Sequence, residues 1–150
     1  MSKKYKFLIV ASSFYPKITD GLLEGATNEL KKYKYKYDVF TVNGSLEIPV
    51  KISILLKKKK YDAVIAVGCI IKGKTDHYEF IANAITNSLL SISVDQKIPV
   101  SNTVLTCNSL KQAAERSSKK LNRAKEAVLA ALSVLNNWHL CLILNHIKDF

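Results

Sequence analysis

Side chains that can bind an anion or transfer a proton occur together in one short segment, Lys72-Gly73-Lys74-Thr75-Asp76-His77. The segment follows the most apolar run of the chain and precedes a helical pattern, which predicts a loop leading into a helix. Free backbone N–H groups and the helix dipole at such a point form an anion site suited to a phosphate. His77 would stand beside that phosphate, where an imidazole exchanges protons near neutral pH. Its position alone also leaves a structural role open.

Motifs for nucleotides and metals are missing from the sequence. The run Gly44-Ser45-Leu46-Glu47 is not a P-loop, Gly-x-Gly-x-x-Gly does not occur, and no Asp pair offers a magnesium site. Cys69, Cys107 and Cys141 are far apart and form no Cys-x-x-Cys motif. We therefore expect reduced thiols, without disulfides or a zinc site. The substrate class that stays open is a molecule that carries a phosphate but is not a dinucleotide.

The formal net charge of +11 raises the question of nucleic-acid binding. Lysines fall at predicted helix ends, and Lys57–Lys60 fits the last turn of a helix, where it favours the dipole. The run Tyr33–Tyr37 alternates tyrosine and lysine, but it also fits a helix exit followed by a strand. We interpret the lysines as a solvated surface. Only two of the 23 basic residues are arginines, Arg116 and Arg123, which marks them as candidates for sites that need a planar guanidinium.

A scaffold for these residues is predicted by alternating apolar and amphipathic runs. The predicted strands are Phe7–Ala11, Tyr37–Val42, Asp62–Ile71 and Pro99–Leu105. Helices are predicted along the stripe from Ile18 to Leu30, from near Glu47 and Pro49, from Asp76 to about Val94, and from Ser109 onward with an interruption near Ser117–Asn122. Asp76 and Glu79 have a cap-like spacing, in which the aspartate side chain would accept from free backbone N–H groups.

Four β-then-α units predict an α/β, flavodoxin-like three-layer sandwich, with a four-stranded parallel sheet and helices on both faces. Ligands bind beyond the carboxyl ends of such strands, so residues 12–15, 44–47, 68–77 and 101–108 are expected to converge. The length of 150 residues fits a single domain. No apolar run reaches the roughly 18 residues of a membrane span, and the first residues do not form a signal peptide, which predicts a cytoplasmic protein.

Sequence runs at the four strand ends carry a family resemblance. They are Ser13-Phe14 before Ile18-Thr19, Asn43-Gly44-Ser45-Leu46-Glu47-Ile48-Pro49, Gly68-Cys69-Ile70-Ile71-Lys72-Gly73-Lys74-Thr75-Asp76-His77-Tyr78, and Leu105-Thr106 through Gln112-Ala113-Ala114-Glu115-Arg116. In order and spacing, over residues 5 to 136, the chain resembles the 6,7-dimethyl-8-ribityllumazine synthases. The resemblance implies condensation of 5-amino-6-(D-ribitylamino)uracil with 3,4-dihydroxy-2-butanone 4-phosphate, the penultimate step of riboflavin synthesis, without metal or redox cofactor.

The resemblance also implies how the pyrimidine substrate is held. Phe14 would stack on the flat ring, although a rim aromatic is the plain alternative. A glutamate in a first helical turn and a buried inert thiol are the corresponding alternatives for Glu47 and Cys69. The residues implied to hold the ribityl chain are Ser45, Leu46 and Glu47, and those implied to contact the pyrimidine edge through main-chain groups are Cys69, Ile70 and Ile71.

For the phosphate substrate, the resemblance implies binding by Lys74 and Thr75, with Arg116 closing on the phosphate bidentately. His77 would transfer protons during imine formation, phosphate loss and ring closure. The alternative for Arg116 is a helix-surface ion pair with Glu115 or Asp149.

Some segments depart from the family pattern. Asn102 stands where a phenylalanine is often found, so a hydrogen bond would replace one stacking contact with the pyrimidine. The segment Ser117–Arg123 lacks the usual glycines, which argues against a sixty-subunit capsid, and few residues precede the first strand, so we expect no additional N-terminal strand. We predict a homopentamer with sites between adjacent subunits. The apolar tail 138–150 would extend the last helix or dock on a neighbouring subunit.

Other functions fit parts of the pattern. An archaeal-type riboflavin synthase resembles this family and converts two lumazines into riboflavin, but His77 and the phosphate site favour the lumazine-forming step. A flavin carrier or RNA-binding module on the same fold would be yellow, or would bind RNA with a steep salt dependence, and would not turn over the two precursors. The predicted partners are two small-molecule substrates, other copies of the chain and, as a candidate, riboflavin synthase, with no nucleic acid or membrane.

Overall fold

A computed structural model describes residues 3–136, and its elements follow the apolar periodicity of the sequence. The strands are β1 (Lys6–Ser12), β2 (Lys36–Val42), β3 (Ala63–Ile71) and β4 (Val100–Cys107). The helices are α1 (Pro16–Lys32), α2 (Glu47–Lys58), α3 (His77–Gln96), α4 (Leu110–Arg116) and α5 (Arg123–Leu135). The interruption predicted between the last two helices is present. The tail 138–150, for which two positions were considered, lies outside the described residues.

The four strands form one parallel sheet in the order β2-β1-β3-β4. Helices α1 and α5 pack together on one face, and α2 and α3 pack together on the other. The predicted flavodoxin-like sandwich is therefore confirmed. Because β1 and β3 are central, the carboxyl ends of these two strands mark the point where a doubly wound sheet binds ligands.

Alternation along the central strands divides the core into two layers. Phe7 and Ile9 of β1 point toward α1 and α5, whereas Leu8 and Val10 point toward α2 and α3. All four side chains are fully buried, as a strand covered on both faces requires. Within the described residues, no helix combines the length and apolar character needed to cross a membrane.

Helix ends follow the sequence signals with one exception. Pro16 opens α1, and the Ser109 side chain caps α4 by accepting from the Gln112 N–H at 3.2 Å. The expected cap by Asp76 is wrong, because among the described residues this side chain makes no capping hydrogen bond. Its backbone is already helical (φ −73°, ψ 0°), whereas a capping side chain needs an extended backbone to reach the free N–H groups.

Asn122 fixes the corner between α4 and α5. Its side-chain oxygen accepts from the backbone N–H groups of Ala124 and Lys125, at 3.1 and 3.2 Å. Its side-chain nitrogen donates to the carbonyl oxygens of Gly21 on α1, at 2.8 Å, and Ser117, at 3.2 Å. One amide therefore caps α5 and ties the corner to α1.

Near the amino ends of the strands, at the end of the sheet opposite the expected ligand site, Asp38 accepts hydrogen bonds from three side-chain donors. The Tyr61 hydroxyl lies 2.6 Å from Oδ2, the Lys59 ammonium 2.9 Å and the Lys6 ammonium 3.3 Å. These contacts, led by the Tyr61 hydrogen bond, hold the pKa of Asp38 well below its usual range. Burial and the neighbouring carboxylate raise the pKa of Tyr61 to about 12. Lys59, from the predicted lysine turn, is thus an ion-pair partner rather than only a solvated charge.

Asp38→Asn is expected to lower the free energy of unfolding at pH 7 by about 1–2 kcal/mol, because three donors lose a charged acceptor. A depressed folded-state pKa stabilises the fold above the ordinary carboxyl pKa of about 4, and this contribution disappears as pH falls through the folded value. The difference from wild type should therefore shrink below pH 4. Urea unfolding at pH 7 and pH 3 measures this stability difference. Tyr61→Phe, which removes only one of the three donors, is the control. An equal difference at both pH values would contradict the stabilising role of the Asp38 carboxylate.

Candidate functional site

A cavity of about 390 Å³ lies at the carboxyl ends of β1 and β3. Its walls come from the β1–α1 loop, the start of α2, the end of β3 and the start of α3. The lining residues are Phe14, Tyr15, Gly44, Ser45, Leu46, Glu47, Cys69, Ile70, Ile71, His77 and Ile81. Three of the four segments expected to converge therefore do so.

Phe14 presents an exposed aromatic ring to this cavity. It lies between Ser12, the last residue of β1, and Pro16, the first residue of α1, and 68% of its surface is exposed. Its one aromatic neighbour among the described residues is Tyr15, with ring centroids 5.0 Å apart and planes at 70°. At least one face of the Phe14 ring is therefore open to a flat ligand.

The wall formed by the start of α2 rests on two hydroxyls and a glycine. Ser45 Oγ lies 3.3 Å from Ser12 Oγ, and both residues are buried. A Cβ at Gly68 would lie 2.9 Å from Ser45 Oγ and 3.2 Å from Ser12 Oγ. The absence of a side chain at Gly68 thus lets the start of α2 approach β3 closely.

The next two residues of this wall are accessible. Leu46 is half exposed, and Glu47 is exposed at the first position of α2. The Glu47 carboxylate lies over Gly44, where Oε2 would be 2.6 Å from an added Cβ. A carboxylate in this position can accept hydrogen bonds from ligand hydroxyls while it favours the helix dipole.

The end of β3 gives the cavity its apolar side. Cys69 is buried, and Ile70 and Ile71 are half-buried. Burial, with the nearby Cys107, raises the pKa of the Cys69 thiol to about 12, so the sulfur is un-ionised at neutral pH and a poor nucleophile. Within the described residues Cys69 and Cys107 are free thiols, and Cys141 lies outside those residues.

The loop between β3 and α3 is exposed from Lys72 to His77. His77 lines the cavity, and its backbone N–H donates to Thr75 Oγ1 at 3.4 Å. Lys74 and Thr75 do not line the cavity, but they belong to the short loop that joins two lining residues, Ile71 and His77. An exposed cation, a hydroxyl and the N-terminus of a 20-residue helix therefore lie at one rim of the cavity.

The fourth segment lies elsewhere in the single chain, so the expectation of full convergence is wrong for one protomer. Asn102 and Arg116 line a separate groove of about 420 Å³ between β4 and α4–α5. Asn102 pairs in register with Ala66, well before the end of β3, and its side-chain nitrogen lies 3.4 Å from Thr86 Oγ1. Strand β4 lies beyond β3, on the side of the sheet away from β1 and β2, and none of its residues lines the cavity.

Arg116 has no ion-pair partner within residues 3–136; its guanidinium donates to the Gln112 carbonyl oxygen at 3.3 Å. The proposed pair with Glu115 does not form, and Asp149 lies outside the described residues. Arg123 lines the same groove but pairs with Glu126 at 2.7 Å. As far as residues 3–136 are concerned, the Arg116 guanidinium is therefore available to an anion.

The sequence interpretation assigned no role to Tyr15 or Ile81, which also line the cavity. Ile81 lies one helical turn after His77, a signal that helical spacing could have supplied. Tyr15 follows Phe14 directly, and the sequence alone gave no signal for its orientation. Among the described residues, no group of three His, Cys, Asp or Glu side chains is placed to bind a metal ion.

The fold and the cavity define a doubly wound α/β protein whose cavity, at the carboxyl ends of the strands, is suited to a ligand with an aromatic part and an anionic part. The sequence model of the family described as 6,7-dimethyl-8-ribityllumazine synthase matches residues 4–138. The chain belongs to this family.

Relatives named 6,7-dimethyl-8-ribityllumazine synthase are similar along most of their length. The protein from Nitrobacter hamburgensis is 42% identical over 134 residues, covering 85% of this chain and 82% of the relative. The protein from Bartonella tribocorum is 39% identical, covering 90% and 91%, and that from Buchnera aphidicola is 40% identical, covering 89% and 87%. A solved structure titled as a putative lipoprotein from Peptoclostridium difficile aligns at a TM-score of 0.50 and 15% identity, covering 89% of this chain and all of that one, a likeness of fold alone.

Proposed function

We propose that this protein is a transferase that condenses 5-amino-6-(D-ribitylamino)uracil with 3,4-dihydroxy-2-butanone 4-phosphate to give 6,7-dimethyl-8-ribityllumazine and phosphate. The observation that carries the proposal is the meeting of Phe14, Glu47 and His77 in one cavity of a chain from this family. The open aromatic face suits the pyrimidine ring, and the carboxylate suits the hydroxyls of the ribityl chain. The imidazole beside a helix N-terminus suits the ketone that carries the phosphate.

In this proposal the pyrimidine stacks on Phe14, and its edge meets the main chain of Cys69, Ile70 and Ile71. The ribityl chain lies along Ser45, Leu46 and Glu47, with the Glu47 carboxylate accepting from its hydroxyls. These contacts fix the C5 amine of the pyrimidine near the β3–α3 loop.

The phosphate of the second substrate is held by Lys74, Thr75 and the N-terminus of α3, with Arg116 closing on it bidentately. The C5 amine attacks the ketone and forms an imine with loss of water. Loss of a proton from the adjacent carbon expels phosphate, the resulting enol tautomerises to a ketone, and the second nitrogen attacks this ketone and closes the ring with loss of a second water. His77 carries protons between these steps. Holding two substrates in register supplies much of the acceleration, since effective molarities of about 10⁵ M are possible.

Arg116 and Asn102 complete the site from a neighbouring copy of the chain. Support comes from their separate groove, from the lack of an ion-pair partner for Arg116 within residues 3–136, and from Phe80, Leu90 and Val94 on α3, each more than 60% exposed. We propose a homopentamer in which the groove of one protomer faces the cavity of the next, and Asn102 there donates to the pyrimidine. Sedimentation that finds a stable, fully active monomer would defeat both the pentamer and the shared site.

The remaining assignments are proposals of the same kind. Residues 1–150 are proposed as one domain, supported by a family match that spans most of the chain. The cytoplasm is the proposed compartment, on the cysteine usage described above, and riboflavin synthase, which would consume the product, is a candidate partner.

Lumazine absorbance in a mixture of purified protein and both precursors tests the function. Product should form faster than in the protein-free mixture. A rate equal to that of the uncatalysed reaction would overturn the proposal. Incubation with the lumazine alone tests the riboflavin synthase alternative, which would yield riboflavin.

His77→Ala is expected to lower kcat by about 10- to 100-fold and to change lumazine affinity by less than about threefold, because the imidazole moves protons while positioning persists. Thermal unfolding of the variant should match wild type, since His77 is exposed. Tyr78→Phe, at the next position of α3, is the matched control. A collapsed fold, or an unchanged kcat, would show that His77 is structural or uninvolved.

A further inference from the structure

Tyr15 lines the ligand cavity, yet none of the proposed binding contacts uses it. It is the residue that precedes α1, a position where Ser, Thr, Asp and Asn are favoured because their side chains cap the helix. The Tyr15 side chain makes no capping hydrogen bond. Capping therefore does not explain a tyrosine at this position.

The Tyr15 ring joins the core to the exposed Phe14 ring. Tyr15 is half-buried and packs against the hydrophobic cluster on the α1 and α5 side of the sheet. Its ring meets Phe14 nearly at right angles, at a centroid distance of 5.0 Å. Edge-to-face contacts of this kind favour one relative orientation of two rings.

A ring as exposed as Phe14 would otherwise exchange between side-chain rotamers on a nanosecond timescale. A ligand that stacks on the Phe14 ring binds only one of these orientations. Its affinity is therefore lowered in proportion to the time that the ring spends in the other orientations. Contact with an anchored neighbour removes part of that loss. Because the contact is edge-to-face, it engages at most one face of the Phe14 ring and leaves the other face to a flat ligand.

We infer that Tyr15 is a positioning residue for pyrimidine binding, which acts by holding the Phe14 ring in the orientation that stacks on the ligand. The inference rests on the proposed function, because it takes the ligand to be the pyrimidine or its lumazine product. Tyr15 contributes through its ring and its attachment to the core. The hydroxyl is not needed.

A double-mutant cycle with the lumazine as probe tests this role. Tyr15→Leu should raise the lumazine Kd about fivefold, the factor that corresponds to an aromatic pair of about 1 kcal/mol. In the Phe14→Leu background the same change should alter Kd by less than about twofold, since the ring that Tyr15 positions is gone. Tyr15→Phe should bind like wild type. Tyr15→Met serves as a second ring-free variant if Tyr15→Leu does not fold.

An equal loss in both backgrounds would overturn the inference, because it would mean that Tyr15 acts independently of Phe14. Unchanged binding in Tyr15→Leu, or weakened binding in Tyr15→Phe, would overturn it as well. The wild-type protein separates this failure from that of the proposed function. If wild type forms lumazine but the cycle shows no coupling, only the role of Tyr15 is wrong; if wild type neither forms nor binds lumazine, the function itself fails.

Discussion

Arg116→Ala should raise the KM for 3,4-dihydroxy-2-butanone 4-phosphate by about 30- to 150-fold, the factor expected from about 2–3 kcal/mol for a charge-assisted contact. Lumazine affinity should change by less than about threefold, because the product has lost the phosphate. Steady-state kinetics with each substrate varied in turn, and lumazine titration, measure the two effects. Equal losses for both ligands would contradict the phosphate role.

Two control variants make this measurement specific. Arg116→Lys keeps the charge but loses the planar fork, so its KM should lie between those of wild type and Arg116→Ala. Lys119→Ala removes a nearby charge whose side chain is 92% exposed, and it should behave like wild type. If Lys119→Ala has the same effect, general surface charge rather than the guanidinium attracts the phosphate.

The same variant reports whether the site is shared between subunits. Arg116→Ala changes the groove, whereas Phe14→Ala changes the cavity. The two variants are mixed in equal amounts and reassembled into oligomers. The cavity is intact in half of the subunits and the groove in the other half. About a quarter of the interfaces therefore place an intact cavity opposite an intact groove. Recovery of a corresponding activity supports a shared site; no recovery in verified mixed oligomers would place both residues in a site within one chain.

Gly68→Val should lower kcat/KM by about 100-fold or more and the free energy of unfolding by about 1–3 kcal/mol, because overpacking displaces neighbours. The added Cβ alone would lie 2.9 Å from Ser45 Oγ and 3.3 Å from Ile48 Cδ1. Relieving the contact moves the start of α2, and with it the residues proposed to hold the ribityl chain. Enzyme assays and urea unfolding measure the two losses.

A smaller change tests this explanation. Gly68→Ala should cost less activity in a Ser45→Ala background than in wild type, because the nearest atom to the new Cβ has been removed. The same cost in both backgrounds would mean that the glycine acts through backbone freedom or another neighbour.

The sequence predicted the layers of this protein well because each central strand is a continuous apolar run. Phe7 to Ala11 has no polar face, which is compatible only with a strand buried on both sides. The end of β4 was less predictable: it extends to Cys107, two residues beyond Leu105, because polar residues at a sheet edge weaken the apolar signal. The cap at Asp76 failed because residue types alone do not reveal that the backbone has already turned helical.

The candidate site was predictable where it depends on strand ends and unpredictable where it depends on strand order. Phe14, Glu47 and His77 each follow a strand, and both strands nearest the cavity, β1 and β3, are adjacent in the centre of the sheet. Asn102 lies within β4 and Arg116 at the end of α4, and both line another groove beside β4. The orientation of Tyr15 depends on packing, which no short pattern records.

The amide of Asn122 fixes the corner that lies between two arginines. Arg116 ends α4 and Arg123 begins α5, so the corner that this amide fixes also sets the relative backbone positions of two arginines that line one groove. A side chain added at Gly25 on α1 would collide with the Asn122 amide. We therefore expect a larger residue at position 25 to shift both arginines although no residue that lines the groove has changed.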